Sequence, residues 1–338
     1  MKAFAKCALV AVFVLLYINV ETSAIISHSE TTPPADWSDH PANECMGRWG
    51  TNASCVVIGP NVVITTCHQN GYNAAATSPV VINGKSYTVK DVYVPPVGSD
   101  IRICSLNNAN FTNYAGVYTA EDVETDSEVS KQIVLGGYGK GRGEGLYNKN
   151  KLYGYNWAPE GNTNLRWAQN YIDSLMGDSF MMLDFDGPGH SSAAQYEGTA
   201  AEYDSGGGWF IYHEGQWKLA GLTYGVSTKS ASYSQAWFKN PDTLRDQPDR
   251  AYAHRISYYS GWIEETLAII PPSLVFGGTK GDINGDSLVN SMDLAAIANF
   301  WLETECSPEN GWCQGRDINN DGSVTVADVA VISQSIAQ

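Results

Sequence analysis

Basic residues are scarce. Twenty Lys and Arg stand against 36 Asp and Glu in 338 residues, a net charge of −16. Phosphate binding needs clustered Lys and Arg, so a nucleic-acid partner is excluded. Long apolar runs are missing beyond residue 24, and a bilayer span takes about 20 apolar residues. No membrane span is therefore expected in the mature chain. Cysteine is sparse, at seven residues.

What is present begins with residues 1–24. Lys2 and Lys6 precede an apolar run from Ala8 to Val20 broken by Asn19, and Thr22 and Ala24 are small. That pattern predicts a signal peptide, removed after Ala24. Export places the protein in an oxidising compartment, secreted or at a cell surface. Cys7 would leave with the leader. Cys45, Cys55, Cys67, Cys104, Cys306 and Cys313 remain, an even set that allows fifteen pairings.

From Val56 to Leu222 short β-branched runs alternate with Gly, Pro, Asn and Asp. Examples are Val56-Val57-Ile58, Val62-Val63-Ile64-Thr65, Val80-Val81-Ile82 and Ile133-Val134-Leu135. Asn83-Gly84 marks a tight turn. Runs this short, so punctuated, predict an all-β sandwich or barrel. Ile256 to Ala268 differs: Tyr258, Tyr259, Trp262, Ile263 and Leu267 can share one helical face. Residues 269–280 carry Pro271, Pro272, Gly277 and Gly278 and read as a linker.

Three local features bear on chemistry. A β-branched strand, Val62 to Thr66, leads through Cys67 into His68. Asp100 opens the strand Ile101-Arg102-Ile103. Ser205 sits in the glycine-rich turn Asp204-Ser205-Gly206-Gly207-Gly208. A serine hydroxyl needs a neighbouring base to take its proton, and imidazole serves near neutral pH. A carboxylate fixes the imidazole tautomer, and turn N–H groups can receive an oxyanion.

The order His, Asp, Ser resembles the chymotrypsin/trypsin family of serine endopeptidases. Thr65-Thr66-Cys67-His68 is similar to its Thr-Ala-Ala-His. Asp100-Ile101-Arg102-Ile103 resembles Asp-Ile-Ala-Leu, and Tyr203-Asp204-Ser205-Gly206-Gly207 resembles Gly-Asp-Ser-Gly-Gly. Thr223-Tyr224-Gly225 looks like the substrate-binding Ser-Trp-Gly, and Tyr258 to Ile263 like the closing helix. The likeness runs over residues 25–268. It implies two antiparallel β-barrels with the site between them, and His68, Asp100 and Ser205 as catalytic residues. Tyr203 and Ser205 would supply the oxyanion N–H groups. Tyr203 replaces glycine, so a strained hole is expected. Thr199 would form the floor of the specificity pocket and Thr223, Tyr224 and Gly225 one wall. Thr199 is uncharged, so a neutral or apolar substrate side chain is expected. The resemblance also implies a Cys55–Cys67 bridge, leaving Cys45–Cys104. Leader removal would expose Ile25, whose amine would pair with Asp204. A catalytically weak or inactive binding protein on the same scaffold is the alternative.

Residues 281–338 hold nine acids and one base, half the net charge. Their acids are regularly spaced. Asp282, Asn284, Asp286, Leu288, Asn290 and Asp293 fall at positions 1, 3, 5, 7, 9 and 12 of one loop. Asp317, Asn319, Asp321, Ser323, Thr325 and Asp328 repeat the spacing 35 residues on. Alternate oxygens with a backbone carbonyl at position 7 are how a loop wraps Ca²⁺. Asp at position 12 resembles dockerin modules, which implies a small helical domain with two calcium loops and a cohesin-like or cell-surface partner. The positions that dockerins use for cohesin hold Ser291-Met292 and Val326-Ala327. Ser287 stands where glycine is expected in the first loop, so a weaker first site is predicted. Leu294, Ile297, Phe300, Trp301, Val329, Val331 and Ile332 would pack as helices, with Cys306 bridged to Cys313.

Overall fold

A computed structural model describes residues 23–28, 33, 37–69, 78–96, 98–159, 164–230, 234–270, 283, 289, 291–298, 300–307 and 311–336. Most of the leader, residues 271–280 of the linker, and Asp282, Asn284, Asp286, Leu288 and Asn290 lie outside them. Among the described residues no helix is long and apolar enough to cross a membrane.

The architecture is mostly antiparallel β. In one sheet the ladders run Lys85–Tyr87, Val80–Ile82, Met46–Trp49, Ala53–Gly59, Val62–Thr66, Ile101–Leu106, Val89–Tyr93. In a second they run Arg166–Tyr171, Gln132–Gly137, Gly208–His213, Gln216–Ser227, Arg250–Arg255, Phe180–Asp184, Ser174–Met176. All four strand segments singled out in the sequence fall inside these ladders. Asn83 and Gly84 both take positive φ, 47° and 73°, which a two-residue hairpin turn requires. Strand faces alternate as the pleat demands. Val56, Ile58, Val62, Ile64, Ile101 and Ile103 meet Val134, Phe210, Leu219 and Leu222 in one core. Cys55, Val57, Val63 and Cys104 fill another.

Helix Ile256–Ile269 closes this part of the chain. Its buried face is Ile256, Tyr259, Ser260, Ile263 and Thr266. Tyr258, expected on that face, is 56% exposed. At 100° per residue it points well away from the stripe set by 256, 259, 263 and 266.

The expected Cys55–Cys67 and Cys45–Cys104 bridges are not formed. A bulge between Val57 and Gly59 sets Val56 opposite Ile64. Cys55 then faces Thr65, and Cys67 is a diagonal neighbour. Diagonal neighbours stand about 7–8 Å apart, too far for a disulfide. Cys104 pairs with Val63 in the apolar cluster that Cys55 shares and Cys45 does not. Burial pushes the Cys45 thiol up to about 11 and the Cys104 thiol up to about 12, so both stay protonated at neutral pH.

In the acidic C-terminal segment, helices Ser291–Ala298 and Val326–Ile336 pack around Ile297, Val324 and Ile332. Cys306 and Cys313 are bridged, as expected, with Cα atoms 4.8 Å apart. Phe300 packs against that core, whereas Trp301 is 45% exposed.

Candidate functional site

Strands Val62–Thr66 and Ile101–Leu106 pair with Thr66 opposite Ile101. One step further the Cys67 N–H donates to the Asp100 carbonyl at 2.9 Å. This pairing brings His68 to Asp100 across 32 residues of sequence. Asp100 Oδ1 accepts the N–H groups of Cys67 at 3.1 Å and His68 at 2.7 Å. Asp100 Oδ2 lies 2.5 Å from His68 Nδ1. Burial alone would raise the Asp100 carboxyl. The imidazoles of His254 and His68 outweigh it and hold the group well below the usual carboxylate range.

Ser205 arrives from the other sheet. Its carbonyl accepts the Ser54 N–H at 2.8 Å. The Gly206 N–H donates to Thr223 at 2.9 Å, and the Thr223 N–H to Gly207 at 2.8 Å. Ser54 belongs to the first sheet and Thr223 to the second, so this turn is held by both. Glycine is required at 206: φ is +80°, and a Cβ would sit 2.2 Å from the Ser54 carbonyl oxygen. The result places Ser205 Oγ 2.9 Å from His68 Nε2. Ser205, His68 and Asp100 thus form one hydrogen-bonded line, and the His68 side chain keeps 41% of its surface exposed.

Tyr203 takes φ +76°, a region costly for a residue with a side chain, of order 1–3 kcal/mol. The strain expected from the sequence is present. Lys140 Nζ lies 5.5 Å from the centroid of its ring. Among the described residues no backbone carbonyl accepts the N–H of Tyr203 or of Ser205.

The expected substrate-binding residues divide. Tyr224 stands edge-on to the His68 ring at 5.8 Å. Gly225 has open space where a Cβ would point. Thr223 is turned inward, its Oγ1 accepting the Trp209 indole N–H at 3.0 Å, so it offers only backbone to a wall. Thr199 is buried, pairs with Ile26, and has a hydroxyl with no hydrogen-bond partner.

Sequence reasoning missed two residues here. Gln69 Nε2 lies 3.1 Å from His68 Nε2, while Gln69 Oε1 accepts the Thr66 hydroxyl at 2.6 Å. His254 is buried with its Nε2 3.7 Å from Asp100 Oδ2. Nothing local marked it: it lies in an ordinary strand, Arg250–Arg255, 154 positions past Asp100.

In the C-terminal segment the loop 317–328 is described in full. Asp317 accepts the N–H groups of Asp321 and Gly322 at 3.0 and 2.8 Å. Asp328 accepts those of Ile318 and Thr325 at 2.7 and 2.8 Å. Asn319 Oδ1 and Asp321 Oδ1 each accept a loop N–H. Gly322, at position 6, takes φ +96°. Asp317 and Asp328 are buried at 1% and 0% exposure. Among the described residues no lysine, arginine or histidine forms an ion pair with Asp317, Asp321 or Asp328. Buried carboxylates need a counter-charge, and an all-oxygen set suits a hard cation. The residues present therefore fit calcium. Asp293, the last position of the first loop, is buried and accepts the Ile283 N–H at 2.6 Å.

Residues 280–337 match the family model of the dockerin type I domain. No curated protein matches the chain.

Proposed function

We propose that the chain is a secreted serine endopeptidase of the two-barrel chymotrypsin type, tethered by a calcium-binding dockerin domain. The observation that carries the reading is the line from Ser205 Oγ to His68 Nε2 at 2.9 Å and from His68 Nδ1 to Asp100 at 2.5 Å. Ser205 Oγ attacks the substrate carbonyl while His68 Nε2 takes its proton. Asp100 holds the tautomer that leaves Nε2 free and stabilises the imidazolium. The N–H groups of Tyr203 and Ser205 receive the oxyanion. His68 then protonates the leaving amine, and water resolves the acyl-enzyme by the same groups. Thr199 carries no charge, so the side chain taken by the pocket is neutral or apolar. The substrate is a protein or peptide.

A fluorophosphonate probe tests this directly. The chain beginning at Ile25 is expected to be labelled, and Ser205→Ala to abolish labelling. A correctly folded chain that takes no label would instead favour a binding protein on the same scaffold. The backbone of Tyr203 is the one observation on that side.

The tail supplies attachment. Asp317, Asn319, Asp321, Thr325 and Asp328, with the Ser323 carbonyl, would hold one calcium ion, and Asp282, Asn284, Asp286, Asn290, Asp293 and the Leu288 carbonyl the other. The ion would supply a counter-charge to the buried carboxylates of Asp317 and Asp328, and binding only the folded form stabilises it. The docked partner is a cohesin-like or cell-surface protein outside the cell. Chelation is expected to lower the melting temperature of the C-terminal segment and leave that of residues 25–268 unchanged in differential calorimetry. A tail transition unmoved by chelator would exclude the calcium sites.

A further inference from the structure

His254 has no role in the chemistry above and yet is buried against it. Its side chain is 2% exposed. Neither ring nitrogen has a hydrogen-bond partner. A buried polar group without a partner is costly and calls for a physical reason. Packing holds the ring in place. It lies against Phe180, tilted by 37° with centroids 4.7 Å apart, and Tyr224 and Tyr259 meet it in T-shaped contacts at 5.3 and 6.1 Å. Strand register fixes its backbone between Leu222 and Phe180. The nearest charge to Nε2 is Asp100 Oδ2, at 3.7 Å. That oxygen is the one that meets His68 Nδ1; the other is taken by two backbone N–H groups.

The geometry points to His254 as a positioning residue that directs its Nε2–H at the Asp100 carboxylate, so that Asp100 is held between two imidazoles. At 3.7 Å the contact is electrostatic, and a small approach would make it a hydrogen bond. It does two things. It supplies a donor from the buried side of Asp100. It also keeps the carboxylate from rotating away from His68 when that ring becomes charged. His254 touches neither substrate nor the reacting atoms, so its effect passes through Asp100 to His68.

This inference rests on the endopeptidase reading for its kinetic consequence only. Two substitutions separate positioning from packing. His254→Phe keeps the aromatic ring contacts and removes the donor. His254→Gln keeps a donor near the place of Nε2 and loses the ring contacts. Positioning predicts that His254→Phe lowers kcat about tenfold, the worth of one hydrogen bond to a charge, with KM within about twofold. His254→Gln recovers most of that loss even where its melting temperature is lower. Packing alone predicts the reverse order, and that order overturns the inference.

A second measurement needs no turnover. In the full chain carrying Ser205→Ala, the Asp100 carboxyl is followed through acid by carbon NMR. His254→Phe is expected to raise its midpoint by about one pH unit, and His254→Gln by less. An unchanged midpoint in His254→Phe overturns the contact. A shifted midpoint, together with no fluorophosphonate labelling of the folded chain that keeps Ser205, upholds the contact and rejects the endopeptidase.

Discussion

Asp100→Asn is expected to lower peptide hydrolysis by about 10⁴-fold while leaving the fold intact. The reason is on the two sides of the carboxylate. Oδ1 accepts two backbone N–H groups, from Cys67 and His68. An asparagine must keep its carbonyl oxygen on that side, because an NH₂ there would face two donors. Its NH₂ is then turned toward His68 Nδ1, 2.5 Å away in the present structure from Oδ2. A donor at that place forces Nδ1 to accept and puts the imidazole proton on Nε2. The ring then has no lone pair for the Ser205 hydroxyl, 2.9 Å away. Ser205, the oxyanion donors and the substrate contacts are untouched, so KM should change far less than kcat. Steady-state kinetics with a melting curve on the same preparation decide it. A loss under tenfold would remove Asp100 from the mechanism.

Blocking the amine of Ile25 should produce the next largest effect. Asp204 is buried at 1% exposure and lies one residue before Ser205. Its oxygens accept the N–H groups of Gly139 at 2.7 Å and Ala201 at 2.9 Å. Burial pushes its carboxyl up to about 7 against the pull of these donors, of the Arg166 charge and of the Ile25 backbone N–H. Ile25 is itself buried, with φ +56°, a costly conformation for a β-branched residue. Strand Ser23–Ala24, paired to Gly141–Asn148, still continues the chain on its N-terminal side. Cutting after Ala24 replaces that amide by an ammonium beside a carboxylate that lacks a full counter-charge, and frees φ.

The pH dependence follows with a definite sign. In the extended chain the Asp204 carboxyl is raised above its unfolded value of about 4. The folded state alone keeps the proton between these values, so stability falls as pH rises from about 4 to 7, by up to roughly 4 kcal/mol. In the chain that starts at Ile25 the ammonium holds the carboxylate ionised, and this loss should disappear. Melting curves at pH 5 and 7.5 on the two forms, both carrying Ser205→Ala, read the difference. Activity should follow in the same direction. Asp204 anchors the turn that presents the N–H groups of Tyr203 and Ser205, and one misplaced oxyanion donor costs about 10²–10³ in kcat. With Ser205 intact, the form extended by Ser23-Ala24 should be slower by that factor. Equal rates and parallel melting curves in the two forms would show that the terminus has no such role.

Much of this site was legible in the linear chain because its parts are local. The β-branched run before His68, the strand after Asp100 and the glycines after Ser205 each announce a strand end or a tight turn. The positive φ at Tyr203 was foreseeable from the glycine it replaces. The repeated oxygen spacing of the C-terminal loops was legible for the same reason: each repeat lies within twelve consecutive residues. The Cys306–Cys313 bridge was legible because its partners are seven residues apart, whereas the free state of Cys55 and Cys67 was not, since a bulge between Val57 and Gly59 moved the register and only the folded ladder reveals it. Tyr258 is exposed despite its aromatic ring because angular position on the helix decides burial.

The sequence by itself determined the types of group, their order, and the local turns that carry Ser205 and His68. Those follow from backbone sterics and side-chain chemistry, which act over a few residues. Only the tertiary structure decided that His68, Asp100 and Ser205 meet, that Ser54 and Thr223 hold the serine turn from two sheets, and that His254 closes on Asp100 from behind. These depend on strand pairing across tens to more than a hundred residues. Hydrophobic burial drives that pairing without regard to sequence distance, so no window along the chain contains it.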